Sequence, residues 1–352
     1  MAVTVDPAQL DGYADQLERN SQFFVSPLRE YCAANCGHTD GMTGLLFAVK
    51  PIVELVQDAA TSLLGSGERN LFQVATNLRS AATSYRAGDE AAAERLWRLL
   101  PRGRAPDGYV EQDDARHSGD FRDPSEPRLS PPTKEDTVQD AIKAARDEIG
   151  VIDDWLSKHI HHTLSGDVLP WLCGDWDTLR QNAAGYEALA GHLGVAVIGE
   201  NLRYGVDSLS ESWGSPAATQ FDYTIRVRWL RAVDALVHYF DLNAKMFKEF
   251  ALQAHLGFLT LQILLELFKR WVVDKILHIL KLAVTVLFAY KIPQELVDLV
   301  AHVFEVLGEI KLIFETLKAA AENLVNLAQT IGAEATTVED LWQGRFDPVV
   351  GG

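Results

Sequence analysis

Apolar residues recur at three- and four-residue intervals along nearly the whole chain, and no stretch alternates apolar with polar residues convincingly. The pattern predicts an all-α protein. Asp6, Pro7 and Gln9 read as an N-cap, a proline at the first helical position and an N3 partner. After them Leu10, Tyr13, Leu17 and Phe24 form an apolar stripe. Pro27 is expected to kink this element, which ends near Gly37. A second element spans Thr43 to Leu64, and the stretch GSGERN at 65–70 reads as a turn. A third runs from about Glu68 to Leu100, with Leu71, Val74, Leu78, Ala82 and Tyr85 on one face.

Residues 101–136 break the pattern. They are dense in Pro, Gly and charge and poor in aliphatics, the composition of a disordered linker. Helical periodicity resumes near Thr137, with Ile142, Ile149 and Ile152 as a core face. One long helix is predicted from Asp175 to Ser212, carrying Trp176, Leu179, Ala183, Tyr186, Leu193 and Val197. It ends in ESWGSPAATQF at 211–221, where Gly214 can terminate a helix, Ser215 can cap the next and Pro216 suits its first position. The expected product is a helical hairpin with Trp213 at its tip and Phe221, Ile225 and Trp229 continuing the packing stripe. A final helix starts at Pro293 and runs to about Ile331. The division is therefore a helical region at 1–100, the linker at 101–136, a bundle at 137–331 and a flexible tail at 332–352.

Hydrophobic residues make up 47% of the 352, ample for a packed core, and the formal net charge is −17. That charge argues against a nucleic-acid partner, since phosphate contacts need clustered Lys and Arg. The opening residues are polar and amphipathic, so no Sec signal peptide is expected. From Phe250 the chain turns strongly apolar, with no Asp, Glu, Lys or Arg until Glu266. Neither apolar run between Phe250 and Tyr290 comfortably reaches the roughly 20 residues of a spanning helix. Buried bundle helices are the first expectation there, and a membrane-active or oligomer-forming surface the second.

Chemistry-bearing constellations are sparse. Cys32 and Cys36 stand four apart on a helix, where either two thiols or a disulfide would fit, and Cys173 is left over. His159 and His162, with Asp153 and Asp154 upstream, could face a metal, but they lack the HExxH spacing, and no metal or cofactor is expected. GSGERN lacks the third glycine and the strand of a dinucleotide loop, and there is no GxSxG elbow, P-loop or CxxC pair. The reading is non-enzymatic.

Two short motifs carry a resemblance. Tyr85-Arg-Ala-Gly-Asp89 after an Ala-rich helix resembles the YxxxD/E export signal, and Trp213-Gly214 between helices resembles the WxG turn, with Gly214 directly after the Trp. Both are hallmarks of type VII (ESX) secretion substrates of actinobacteria. The opening VTVDPAQLDGYADQLERNS is similar to the start of such substrates and of the N-terminal modules of type VII secreted toxins. The resemblance implies an elongated, fused PE/PPE-like helical bundle with long antiparallel hairpins. It also implies a composite export signal of Tyr85, Asp89, Trp213 and Gly214, read in the folded substrate by a membrane-associated secretion ATPase. The localisation so implied is secreted or cell-surface by a non-Sec route. A second copy of the chain, a membrane or a host-cell surface would be its further partners. The alternatives are a pore-forming or membrane-interacting protein built on helices 250–290, the export module of a larger toxin, and a metal-dependent enzyme using His159 and His162.

Overall fold

Residues 4–88, 120–134, 137–159, 174–209, 213–285 and 294–343 are described in the computed structural model of the chain. The protein is mostly helical, as the apolar periodicity predicts. Among the described residues the only strands are two residues each, β1 (Thr4–Val5) and β2 (Trp213–Gly214). The helices in chain order are α1 (Pro7–Phe23), α2 (Glu30–Asn35), α3 (Lys50–Arg86), α4 (Thr137–His159), α5 (Asp177–Ala190), α6 (Ala196–Leu209), α7 (Pro216–Tyr223), α8 (Leu230–Thr285) and α9 (Gln294–Trp342).

Helix α1 starts where its cap predicts, the Asp6 side chain accepting from the Ala8 N–H at 2.9 Å. Pro27 lies in a π-helical segment, Phe24–Arg29, in which Ser26 leaves helical conformation, so the expected kink is there. The expected turn at 65–70 is not. Lys50–Arg86 is one continuous helix, with Gly65, Ser66 and Gly67 buried in its middle. A Cβ on Gly67 would stand 2.8 Å from the Phe24 ring, so this glycine serves close helix approach and not a turn. Helix α3 returns along α1, and Arg79 pairs with Asp15 at 2.6 Å and with Glu18. It stops at Arg86, followed by Gly88 at φ +73°, short of the Leu100 expected; residues 89–119 lie outside the described residues.

The single helix expected from Asp175 to Ser212 is two. Helix α5 ends at Ala190 and the chain turns through Gly191–Val195, with the Val195 N–H donating to the Leu189 carbonyl at 3.0 Å. At Gly194 a Cβ would sit 2.2 Å from that carbonyl, and only glycine permits the turn.

The disordered linker expected over 101–136 is corrected for residues 120–134, which form an extended strap laid across α1 and α6. Asp123 takes hydrogen bonds from Arg19 (2.7 Å) and Asn20 (2.6 Å), and buried Asn201 donates to the Ser125 carbonyl at 2.9 Å. Further along, the Arg128 N–H donates to the Leu193 carbonyl at 2.8 Å, Tyr31 Oη donates to the Ser130 carbonyl at 2.9 Å, and Lys134 pairs with Asp175. A polar, aliphatic-poor segment orders itself here because α1 and α6 supply the partners that its own side chains cannot.

Helix α8 continues from α7 through a π-helical segment, Thr224–Trp229, and α9 runs back along it. Trp271 meets His302 at 4.2 Å between ring centroids, Gly257 lies against Leu317, and Trp229 packs on Trp342 at 6.1 Å. Helix α9 extends past Ile331 to Trp342, which corrects the flexible tail expected over 332–352 for residues 332–342; residues 344–352 lie outside the described residues. Buried Trp342 packs edge-on against Phe24 at 5.9 Å and is the anchor that keeps the last turns helical. On the other side of α8, Tyr186 stacks between Phe240 and Phe247, and Trp176 sits on Phe250 and Phe258. Cys32 and Cys36 are both buried free thiols; burial first, then the hydrogen bond and charge of Cys32, push the Cys36 thiol far up.

Candidate functional site

Three chain segments far apart in sequence meet at one end of the α1–α3 pair: the start of the chain, the last turn of α3 and the loop between α6 and α7. Strands β1 and β2 pair antiparallel, Thr4 opposite Gly214 and Val5 opposite Trp213. The β-branched Thr4 and Val5 favour extended backbone, and Asp6 ends the strand by capping α1. On the other side, the Ser215 hydroxyl accepts from the Ala218 N–H at 3.1 Å and Pro216 opens α7, so β2 is pinned between a strand partner and a helix cap.

Trp213 is 2% exposed and its indole is the hub of the corner. Tyr85, half-buried on the last turn of α3, meets it edge to face, with ring centroids 6.4 Å apart and planes at 79°. Phe221 tilts against the other side of the indole at 5.6 Å and in turn meets Tyr13 edge-on at 5.7 Å, while Phe121 of the strap stacks on Tyr13 at 5.9 Å. Tyr13 Oη donates to the Leu202 carbonyl at 2.9 Å, and burial holds its hydroxyl well above the usual range.

Beneath the aromatic row sits a charge clamp. Arg226 donates to Asp207 of α6 at 2.5 Å and to Asp222 of α7 at 2.7 Å, with its side chain 8% exposed. Burial works against its charge, and the hydrogen bonds and charges of Asp222 and Asp207 overcome that, so the guanidinium stays above its ordinary value. The clamp ties the two helices that flank β2, fixing where Trp213 points. At the rim, Arg86 pairs with Asp11 and holds the end of α3 to α1.

Around this rigid base the surface is open. Arg86, Ala87, Gly88 and Gly214 are exposed, and among the described residues nothing lies within 4 Å of where a Cβ would stand on Gly88 or Gly214. Of the four residues singled out by sequence, Tyr85, Trp213 and Gly214 come together; Asp89 lies outside the described residues. The His159 side chain and His162 also lie outside them, and among the described residues no group of three His, Cys, Asp or Glu could hold a metal. The described residues of the corner form an aromatic edge beside a helix C-terminus on a stapled base. Sequence reasoning missed the β1–β2 pairing and the Arg226 clamp. The VTV run before Asp6 was the one local signal for the strand, and the clamp had none beyond Asp222 and Arg226 standing four apart on a helix.

No protein-family model, no curated protein and no solved structure matches this chain.

Proposed function

We propose that the chain is a substrate of a type VII (ESX) secretion system, exported folded and acting outside the cytoplasm as a non-enzymatic structural or interaction protein. The observation that carries this reading is the contact between the Tyr85 ring and Trp213. The aromatic residues of two motifs that sequence likeness alone associates with export meet at one corner, and the helix that bears the tyrosine ends there at Arg86, just before an exposed Gly88. A secretion ATPase reading a folded substrate needs such a surface to be rigid before it binds, because ordering a loose segment would subtract from affinity. The fold that goes with the reading is an elongated, fused PE/PPE-like bundle in which one chain supplies both halves of the signal.

The test compares culture filtrate with cell pellet in an actinobacterial host carrying an ESX system, for the wild type, Tyr85→Ala and Asp89→Ala, with the fold of each checked by circular dichroism. Folded variants retained in the cell while the wild type leaves would support the reading. Equal export of all three, or of none, would refute it.

A second reading is favoured by a separate observation. The helical stretch Pro216–Trp271 holds an 18-residue window long and apolar enough to cross a bilayer, of which 33% is buried. A membrane-interacting or pore-forming protein would use this helix, and leakage from dye-loaded vesicles would report it. A chain serving as the export module of a larger toxin would share the Tyr85–Trp213 corner and differ only in what is joined to it.

A further inference from the structure

The outward face of α8 changes character at Leu252. Leu252, Leu256, Leu259, Ile263 and Leu267 are between 36% and 60% exposed. At about 100° per residue they fall within an arc of roughly 80°. Their opposite face, through Ala254, Phe258, Leu261, Leu265 and Phe268, is buried. The exposed stripe is therefore surplus to the core that α8 already makes. Its ends are charged and lie on the same arc: Lys245 and Glu249 before Leu252, Arg270 after Leu267.

We propose that this stripe binds a second copy of the chain, α8 against α8, antiparallel about a twofold axis crossing between Leu259 and Thr260. That register overlaps the two apolar stretches completely, with Leu252 against Leu267 of the second copy and Leu256 against Ile263 of the second copy. The same register, which overlap of the apolar residues alone dictates, sets Glu249 opposite Arg270 of the second copy at both ends. A parallel pairing would set Glu249 against Glu249 and Arg270 against Arg270, which repel. An isologous interface needs this self-complementarity, since each contact occurs twice.

A bilayer suits the stripe less well. Its flanks are polar, Gln253 and Thr260 on one side and His255 and Gln262 on the other, where an interfacial helix presents a wide apolar face with basic flanks. The net charge of −17 also opposes an anionic leaflet. The stripe and its flanks from two copies bury roughly 1,000–1,200 Å², the low end of specific interfaces, so the dimer is a concentration-dependent one. The inference does not rest on the export reading, and its test is independent of secretion.

Sedimentation velocity of the full chain over about two decades of protein concentration should show the monomer giving way to a dimer by mass action. Leu256→Glu with Ile263→Glu should weaken dimerisation at least about tenfold by placing four carboxylates in the seam. Glu249→Arg or Arg270→Glu alone should weaken it about threefold to tenfold, and the two together should restore it, because the pairing is only inverted. Glu249 and Arg270 are exposed, and the pair that Arg270 makes with Glu266 of its own helix is an exposed one that contributes little, so these variants keep the fold. A wild type that stays monomeric throughout, a dimer indifferent to the Leu256 and Ile263 changes, or a combined reversal weaker than either single one would overturn the proposal. So would a monomeric wild type that floats with phosphatidylcholine–phosphatidylglycerol vesicles, which would make the bilayer the occupant.

Discussion

The two halves of α8 differ in what they show to water. From Leu230 to Ala251 the inward residues, among them Leu236, Phe240, Phe247 and Ala251, are buried, and the outward ones are Arg231, Asp234, His238, Lys245, Lys248 and Glu249. From Leu252 to Leu267 the inward face is just as buried, but the outward positions are mostly leucine and isoleucine. Apolar content rises where cover by neighbouring helices does not rise with it. A core accounts for one apolar stripe on a helix and not for two, and the extra stripe is the surface proposed above to bind a second copy.

The sharpest way to break that comparison is to truncate one residue in each half. Phe247→Ala removes a fully buried ring stacked on Tyr186 and should cost about 3–5 kcal/mol. Leu256→Ala, at a position 54% exposed, should change monomer stability by no more than about 0.5 kcal/mol. Urea unfolding at a concentration where the protein is monomeric measures both, and comparable losses would mean that the distal half is core after all.

Glycines offer a smaller contrast of the same kind. Gly67→Ala drives a methyl into the Phe24 ring and should cost about 1–3 kcal/mol. Gly332→Ala on α9 meets nothing within 4 Å and should gain about 0.4–1 kcal/mol by favouring the helix. Thermal unfolding should move in opposite directions for the two.

The gentlest probe is alkaline pH. Burial, with smaller contributions from Cys36 and Cys32, pushes the Tyr31 hydroxyl up to about 12 from its ordinary 10.0. The unfolded chain releases this proton first, so it binds fewer protons than the folded chain between about pH 10 and 12, and stability must fall as pH rises through that window. Tyr13 and Tyr186, also raised by burial, act in the same direction. Denaturant midpoints that begin to decline near pH 9, where the unfolded Cys36 thiol loses its proton, and fall further above pH 10 would bear this out, and Tyr31→Phe, which has no proton to lose, should soften the decline above pH 10. A midpoint that rises with alkalinity would contradict the burial of these hydroxyls.

Local chemistry was legible wherever a residue acts on its immediate neighbours. The caps at Asp6 and Ser215, the proline starts at Pro7 and Pro216 and the kink at Pro27 are short-range effects, and each is found. The two glycine readings were inverted for a common reason. Gly65 and Gly67 looked like a turn and lie in a helix; Gly191 and Gly194 looked helical and make the break. Glycine permits both a turn and a close approach, and which one occurs depends on what comes near, Phe24 in one case and the Leu189 carbonyl in the other. At the candidate site, Tyr85, Trp213 and Gly214 could each be named from the sequence, but their meeting could not, since it depends on α3 returning along α1 and on Val5 finding Trp213.

Periodicity, caps and prolines act within a turn or two of the chain, and so the helical class and most helix starts could be read along it. Long-range packing is what makes residues 120–134 a strap, carries α9 to Trp342, brings Tyr85 against Trp213 and leaves one of the two apolar stripes of α8 outside. Each of these depends on partners distant in sequence, and burial is a property of the assembled chain that no local pattern contains.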